Sequence, residues 1–97
     1  MISFKKPVKF DWDEGNINKS YKKHGISSNQ TEEIFLDENL KILKDIKHSQ
    51  KEQRQIALGK TFNNIKLFII FTVRGDKVRI ISARTMNKKE RSYYEKI

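Results

Sequence analysis

Cysteine is absent from the 97-residue sequence. That excludes disulfides, thiolate nucleophiles and cysteine-based metal sites. Proline occurs once and glycine four times, so no low-complexity linker divides the chain. Long hydrophobic runs are missing too. The longest, Leu67-Phe68-Ile69-Ile70-Phe71, is far too short to cross a bilayer. The opening residues, Met1-Ile2-Ser3-Phe4-Lys5-Lys6, carry no apolar stretch behind their lysines and so do not resemble a secretory signal. These absences predict a cytoplasmic protein with no membrane partner. Length predicts one domain spanning residues 1–97, with a modest core that gains from a partner.

Acid is the scarce charge, with 12 acidic residues against 21 basic ones and a net charge of +9. The excess is uneven. Residues 25–40 hold Glu32, Glu33, Asp37 and Glu38 and no base. Residues 72–97 hold Arg74, Lys77, Arg79, Arg84, Lys88, Lys89, Arg91 and Lys96 against Asp76, Glu90 and Glu95. A lopsided positive field favours a polyanion such as nucleic acid, or an acidic protein, and puts nucleic acid ahead of general solubility and of an anionic membrane surface.

Local patterns predict an α+β fold. Asp13 is a candidate N-cap for a first helix reaching about His24, with Ile17 and Tyr21 as its apolar stripe and Gly25 at its C-terminal end. Phe10 and Trp12 would pin that helix to a sheet. Ser27 and Gln30 match a capping box that opens a second helix, buried through Ile34 and Phe35 and ending near Asp37 to Asn39. Residues 40–46 read as a short strand or a helix remnant. Gln55 to Lys60 alternates as a strand does. Ile65 to Val73 reads as a central strand covered on both faces, and Val78 to Ala83 as the last strand. Asn63-Asn64 and Arg74-Gly75-Asp76 are turn material. Asn87 with Glu90 predicts a capped final helix containing Tyr93, Tyr94 and Ile97. The expected result is an antiparallel sheet of three to four strands, two N-terminal helices and a C-terminal helix.

Several segments in order resemble the BrnT toxins. They are Phe10-Asp11-Trp12-Asp13, Lys23-His24-Gly25-Ile26-Ser27, Phe35-Leu36-Asp37, and His48-Ser49 followed by Glu52, Arg54 and Ile56-Ala57-Leu58-Gly59. The last is Arg74-Gly75-Asp76-Lys77-Val78-Arg79-Ile80-Ile81-Ser82-Ala83-Arg84, then Lys89-Glu90-Arg91 and Tyr94-Glu95. The chain departs from the family pattern at Gln50-Lys51, where an acidic or glycine-rich linker is usual, and in a first helix poor in alanine and leucine. The resemblance implies a RelE-like fold, RNA cleavage, growth arrest through blocked translation, and neutralisation by a cognate BrnA antitoxin. It also implies a heterotetramer of two toxins and two antitoxins, with RNA, free or on the ribosome, as substrate.

RNA cleavage of this type needs no metal or other cofactor in principle. The ribose 2′-OH attacks the adjacent phosphate, a base takes its proton, cations stabilise the phosphorane, and an acid protonates the leaving 5′-oxygen. His24 and His48, the two histidines, could form an acid–base pair. Alternatively His24 is a helix-end residue favoured by the dipole, and His48 a loop residue. Glu52 could act as base or orient a cation, or simply pair with Arg54. Arg79 and Arg84 are the leading phosphate-binding candidates, because a planar fork matches phosphate oxygens. Strict alternation puts them on opposite sheet faces; only a strand end or bulge near Ala83 would bring them together. Lys23, Arg74, Lys88, Lys89 and Arg91 could grip the backbone of RNA. Tyr93 or Tyr94 could stack a base, Tyr94 being also a candidate core residue. Two separated histidines without a carboxylate cluster predict no metal site. The competing readings are a basic nucleic-acid-binding module without catalysis and an interaction domain for an acidic partner.

Overall fold

The computed structural model of the chain describes residues 8–45 and 52–96. The elements in order are β1 (Lys9–Phe10), α1 (Lys19–His24), α2 (Ser28–Glu33) running into a 3-10 turn (Ile34–Leu36), β2 (Lys41–Lys44), β3 (Gln55–Lys60), β4 (Lys66–Arg74), β5 (Lys77–Thr85) and α3 (Lys88–Glu95). They form a sheet of order β1-β5-β4-β3-β2. Strands β2 to β5 make an antiparallel meander, with the apolar run of β4 in the middle. The sheet has one more strand than expected and is mixed. Lys9 and Phe10 run parallel to Lys77 and Val78 at the β5 edge. Two residues of pairing leave no period to read in sequence. The ambiguous stretch after Leu40 is a strand, with Lys41–Lys44 paired to Gln55–Leu58.

Helix starts follow local chemistry. The Ser27 hydroxyl accepts the Gln30 N–H while the Gln30 side chain accepts the Ser27 N–H, and Asn87 and Glu90 repeat the exchange at α3. Gly25 closes α1 at φ 71°, in the left-handed region.

The first helix differs from expectation. It begins at Lys19, with Asn18 at its N-cap, because residues 14–18 form turns in which the Asp13 carbonyl accepts the N–H groups of Asn16 and Ile17. The Asp13 carboxylate accepts the Gly15 N–H instead of capping α1. Ile17 and Tyr21 are exposed, Tyr21 by 61%, so they form no buried stripe. Polar bonds attach this region to the sheet. The Asn16 amide donates to the Ile80 carbonyl at 3.0 Å, and the Ser20 hydroxyl accepts the Ala83 N–H at 2.9 Å. Both satisfy backbone groups of β5 beyond the reach of short β1. Trp12 points elsewhere: its indole N–H donates to Glu32 at 2.6 Å, tying it to α2 rather than α1.

The core lies on one face of the sheet. Ala57, Ile69, Phe71, Val78, Ile80 and Ala83 meet Ile26, Ile34 and Phe35 there. Phe35 stands edge-on to both Phe10 and Phe71, at 5.5 and 5.3 Å between centroids, a favoured aromatic geometry. The opposite face is covered only in part. Tyr94 of α3 and Met86 bury Leu58, with Leu43, Ile56 and Phe68 packed against them. The Tyr94 hydroxyl donates to Asp37, which also accepts the Lys60 N–H, so one carboxylate joins the 3-10 turn, β3 and α3. Burial, reinforced by Asp37, pushes the Tyr94 phenol well above its ordinary value. Toward β5 that second face stays open. No helix among the described residues is long and apolar enough to cross a membrane.

Candidate functional site

The open face acquires its chemistry from an irregularity in β5. Ile70 pairs with Ser82, but its neighbour Phe71 pairs with Ile80, so Ile81 is an extra residue. A bulge of one residue reverses the alternation beyond it. Arg79 therefore sits opposite Thr72, and Arg84 opposite Phe68, two β4 positions on the same face. This is the bulge near Ala83 that joint placement of the two arginines requires. Four strand steps separate them, about 13 Å along the sheet.

Each guanidinium is held by carboxylates. Arg79 makes a bidentate pair with Asp13 at 2.9 and 3.0 Å, with Asp11 at 3.6 Å. That pair and the Gly15 N–H hold the Asp13 carboxyl below its ordinary range. Arg74 pairs with Glu52 at 3.2 and 3.3 Å. Sequence spacing points to Arg54; the two-point partner of Glu52 is Arg74. Asp11, Asp13 and Arg79 thus form one charge cluster, and Glu52 and Arg74 a second, both at the β4–β5 hairpin end. Arg54 immediately precedes β3, two residues before Ile56, and alternation places it on this same face.

At the other end, Arg84 lies 3.9 Å above the Phe68 ring. Its two terminal nitrogens each donate to Glu90 at 2.8 Å, and one also to the Thr85 carbonyl. Arg84, then the Asn87 N–H, hold Glu90 below the usual carboxylate value. Beside it is a hollow of about 400 Å³ lined by Lys19, Ser20, Lys23, His24, Phe68, Ile70, Ser82, Ala83 and Arg84. Its lining carries three permanent cations and no carboxylate. Lys19, Lys23 and His24 make no side-chain ion pair or hydrogen bond among the described residues. Positive charge left uncompensated beside an apolar floor suits an anion attached to a flat ring.

The structure thus gathers Arg74, Arg79, Arg84, Glu52, His24 and Lys23 around one face. His48 lies outside the described residues. Lys88 and Lys89 are exposed on the first turn of α3. Arg91 is turned to a structural task, donating to the Met86 carbonyl at 3.0 Å. Tyr94 is 6% exposed and its hydroxyl is engaged, so it is a core residue and not a surface ring for stacking a base; Tyr93 is the exposed ring of α3. Sequence reading missed Lys19, Phe68 and Asp13 as parts of this face. Lys19 stands one helical turn before Lys23, a signal that both share one side of α1. Among the described residues, no three His, Asp or Glu groups could hold a metal ion.

Residues 12–90 match the family model described as ribonuclease toxin, BrnT, of type II toxin–antitoxin system. The chain belongs to the BrnT family. It is accordingly a ribonuclease toxin of a type II system, and such a toxin implies an antitoxin partner. No curated protein matches the chain. The matched residues contain all of α1 to β5 and the start of α3, so the arginine face, apart from Asp11, and the hollow lie within the matched range.

Proposed function

We propose that this BrnT chain cuts RNA by internal transesterification on the open face of its sheet, with Arg79 holding the scissile phosphate. The observation that carries the reading is the Ile81 bulge, which turns Arg79 to the face shared with Arg84. Arg79 is half-buried against Asp11 and Asp13, with its side chain 15% exposed. A preorganised guanidinium costs little reorganisation when charge develops on a phosphorane.

In the proposed reaction the 2′-oxygen forms a bond to phosphorus as the bond to the 5′-oxygen breaks. Glu52, held by Arg74 at the same hairpin end, takes the proton of the 2′-OH. A histidine, His24 or His48, returns a proton to the leaving 5′-oxygen. Arg54, Arg74 and Arg84 add positive potential, and Lys23, Lys88 and Lys89 attract the backbone. No metal or cofactor enters the scheme. The run of helices, antiparallel strands and closing helix is consistent with a RelE-like fold. A BrnA-type antitoxin, two for two toxins, would stop cleavage by covering this face, and cleavage in the cytoplasm, on free or ribosome-bound RNA, would arrest translation and growth.

Incubating the purified chain with RNA tests the scheme. The products should end in 2′,3′-cyclic phosphate, a chelator should leave the rate unchanged, and a 2′-deoxy substitution at the cut site should abolish cleavage. Cleavage that tolerates the deoxy substitution, or absence of cleavage, overturns it.

A further inference from the structure

We infer that Arg84 is a stacking platform for a nucleobase, in a nucleotide subsite whose phosphate is gripped by Lys19 and Lys23. The inference rests on the RNA-cleaving reading above and deepens it. Three observations carry it. The Arg84 Cζ lies 3.9 Å from the Phe68 ring centroid, so the side of the guanidinium turned away from Phe68 can form the next layer of a stack. Glu90 holds both terminal nitrogens at 2.8 Å and one of them also bonds the Thr85 carbonyl, so the plane is rigid and its flat cationic face is what adjoins the hollow. And the adjoining hollow of about 400 Å³ has Lys19 and Lys23 on its rim with no carboxylate partner among the described residues.

Guanidinium planes stack on unpaired bases and tolerate their identity. Lysines at positions 19 and 23 project from one side of α1, one turn apart, and α1 is fastened beside the hollow by Ser20, whose hydroxyl accepts the Ala83 N–H. A base on Arg84 would therefore have its phosphate toward α1. The strand distance of about 13 Å to Arg79 makes this a neighbouring nucleotide and not the one being cut. The occupant is a single-stranded stretch of RNA, since a base inside a duplex already has both faces stacked.

The test uses the full-length chain and a short oligonucleotide, 2′-O-methylated throughout so that it cannot be cleaved, carrying 2-aminopurine at successive positions. One position should show quenching of its fluorescence on binding. Arg84→Lys keeps the charge and removes the plane; it should abolish that quenching and weaken binding about tenfold. An abasic residue at the same position should weaken binding to wild type by a similar factor and binding to Arg84→Lys hardly at all. The pair Lys19→Ala and Lys23→Ala, exposed on α1, should reduce the slope of log affinity against log salt by about 1.4. Unchanged quenching and affinity in Arg84→Lys, with its melting temperature retained, overturns the subsite. So does equal loss from the abasic residue in both proteins. If Arg84→Lys fails to fold, Phe68→Leu replaces it, with the same loss expected. The failure of the nuclease reading is seen separately, as absence of RNA cleavage by wild type.

Discussion

Arg79 and Asp13 form a two-point ion pair across 66 positions of sequence, Nη1 to Oδ2 at 2.9 Å and Nη2 to Oδ1 at 3.0 Å. The pair binds the turn before α1 to the hairpin end of β5. It also aims the guanidinium, because a bidentate carboxylate fixes both position and plane of an arginine fork.

Asp13→Asn should therefore impair cleavage although Asp13 donates no proton in the proposed reaction. The amide keeps the shape and loses the charge, so Arg79 becomes less well oriented. The expected result is a fall of about tenfold in kcat with KM little changed, read in a cleavage assay. A rise in activity would mean that Asp13 masks Arg79 instead of placing it.

The Arg84–Glu90 pair predicts a pH dependence of stability. The folded pKa of Glu90 is depressed from its ordinary 4.5, chiefly by Arg84. A depressed carboxylate contributes stability that is complete above its unfolded pKa and disappears as pH falls through the folded one. Melting temperature should thus drop as pH falls below about 4.5, and Glu90→Gln should reduce that slope. Because both side chains are partly exposed, at 38% and 18%, the contribution should be about 1 kcal/mol or less. Thermal melts between pH 3 and 7, run in low and high salt, measure it.

Gly59 faces a packing constraint. A Cβ placed there would lie 3.0 Å from both the Cβ and the carbonyl oxygen of Ile34, and Ile34 is fully buried. The 3-10 turn and β3 meet too closely for a methyl group. Gly59→Ala should destabilise the protein by about 1–3 kcal/mol. Urea unfolding followed by circular dichroism would show it as a lower midpoint with the slope retained.

What sequence made legible was local. The capping boxes at Ser27 and Asn87 depend on residues three apart, and the structure has both. Gly25 marks a helix end through its own backbone freedom. The run Leu67 to Phe71 identifies the central strand by composition alone. What depended on distant partners was hidden. Asp13 looks like a helix cap until Arg79 arrives beside it. Ile17 and Tyr21 have the spacing of a helical stripe, yet helix α1 starts only at Lys19 and faces the sheet with Ser20. Tyr94 reads as core or as a base-stacking ring, and only the packing of α3 over Leu58 and Met86 decides for the core. The bulge at Ile81 leaves no mark in composition, since Ile80-Ile81 is equally compatible with unbroken pairing. It was therefore open in sequence whether Arg79 and Arg84 share a face, and the strand register answered it.

The most direct measurement is the rate of RNA cleavage by Arg79→Ala and Arg79→Lys beside wild type, with circular dichroism to confirm that each is folded. Removing a preorganised cation from a developing phosphorane should cost about 100- to 1000-fold in kcat. Arg79→Lys should recover only part of that, because an ammonium lacks the two-pronged geometry. Folded Arg79→Ala protein that cleaves at the wild-type rate would contradict the assignment of this face as the place where RNA is cut.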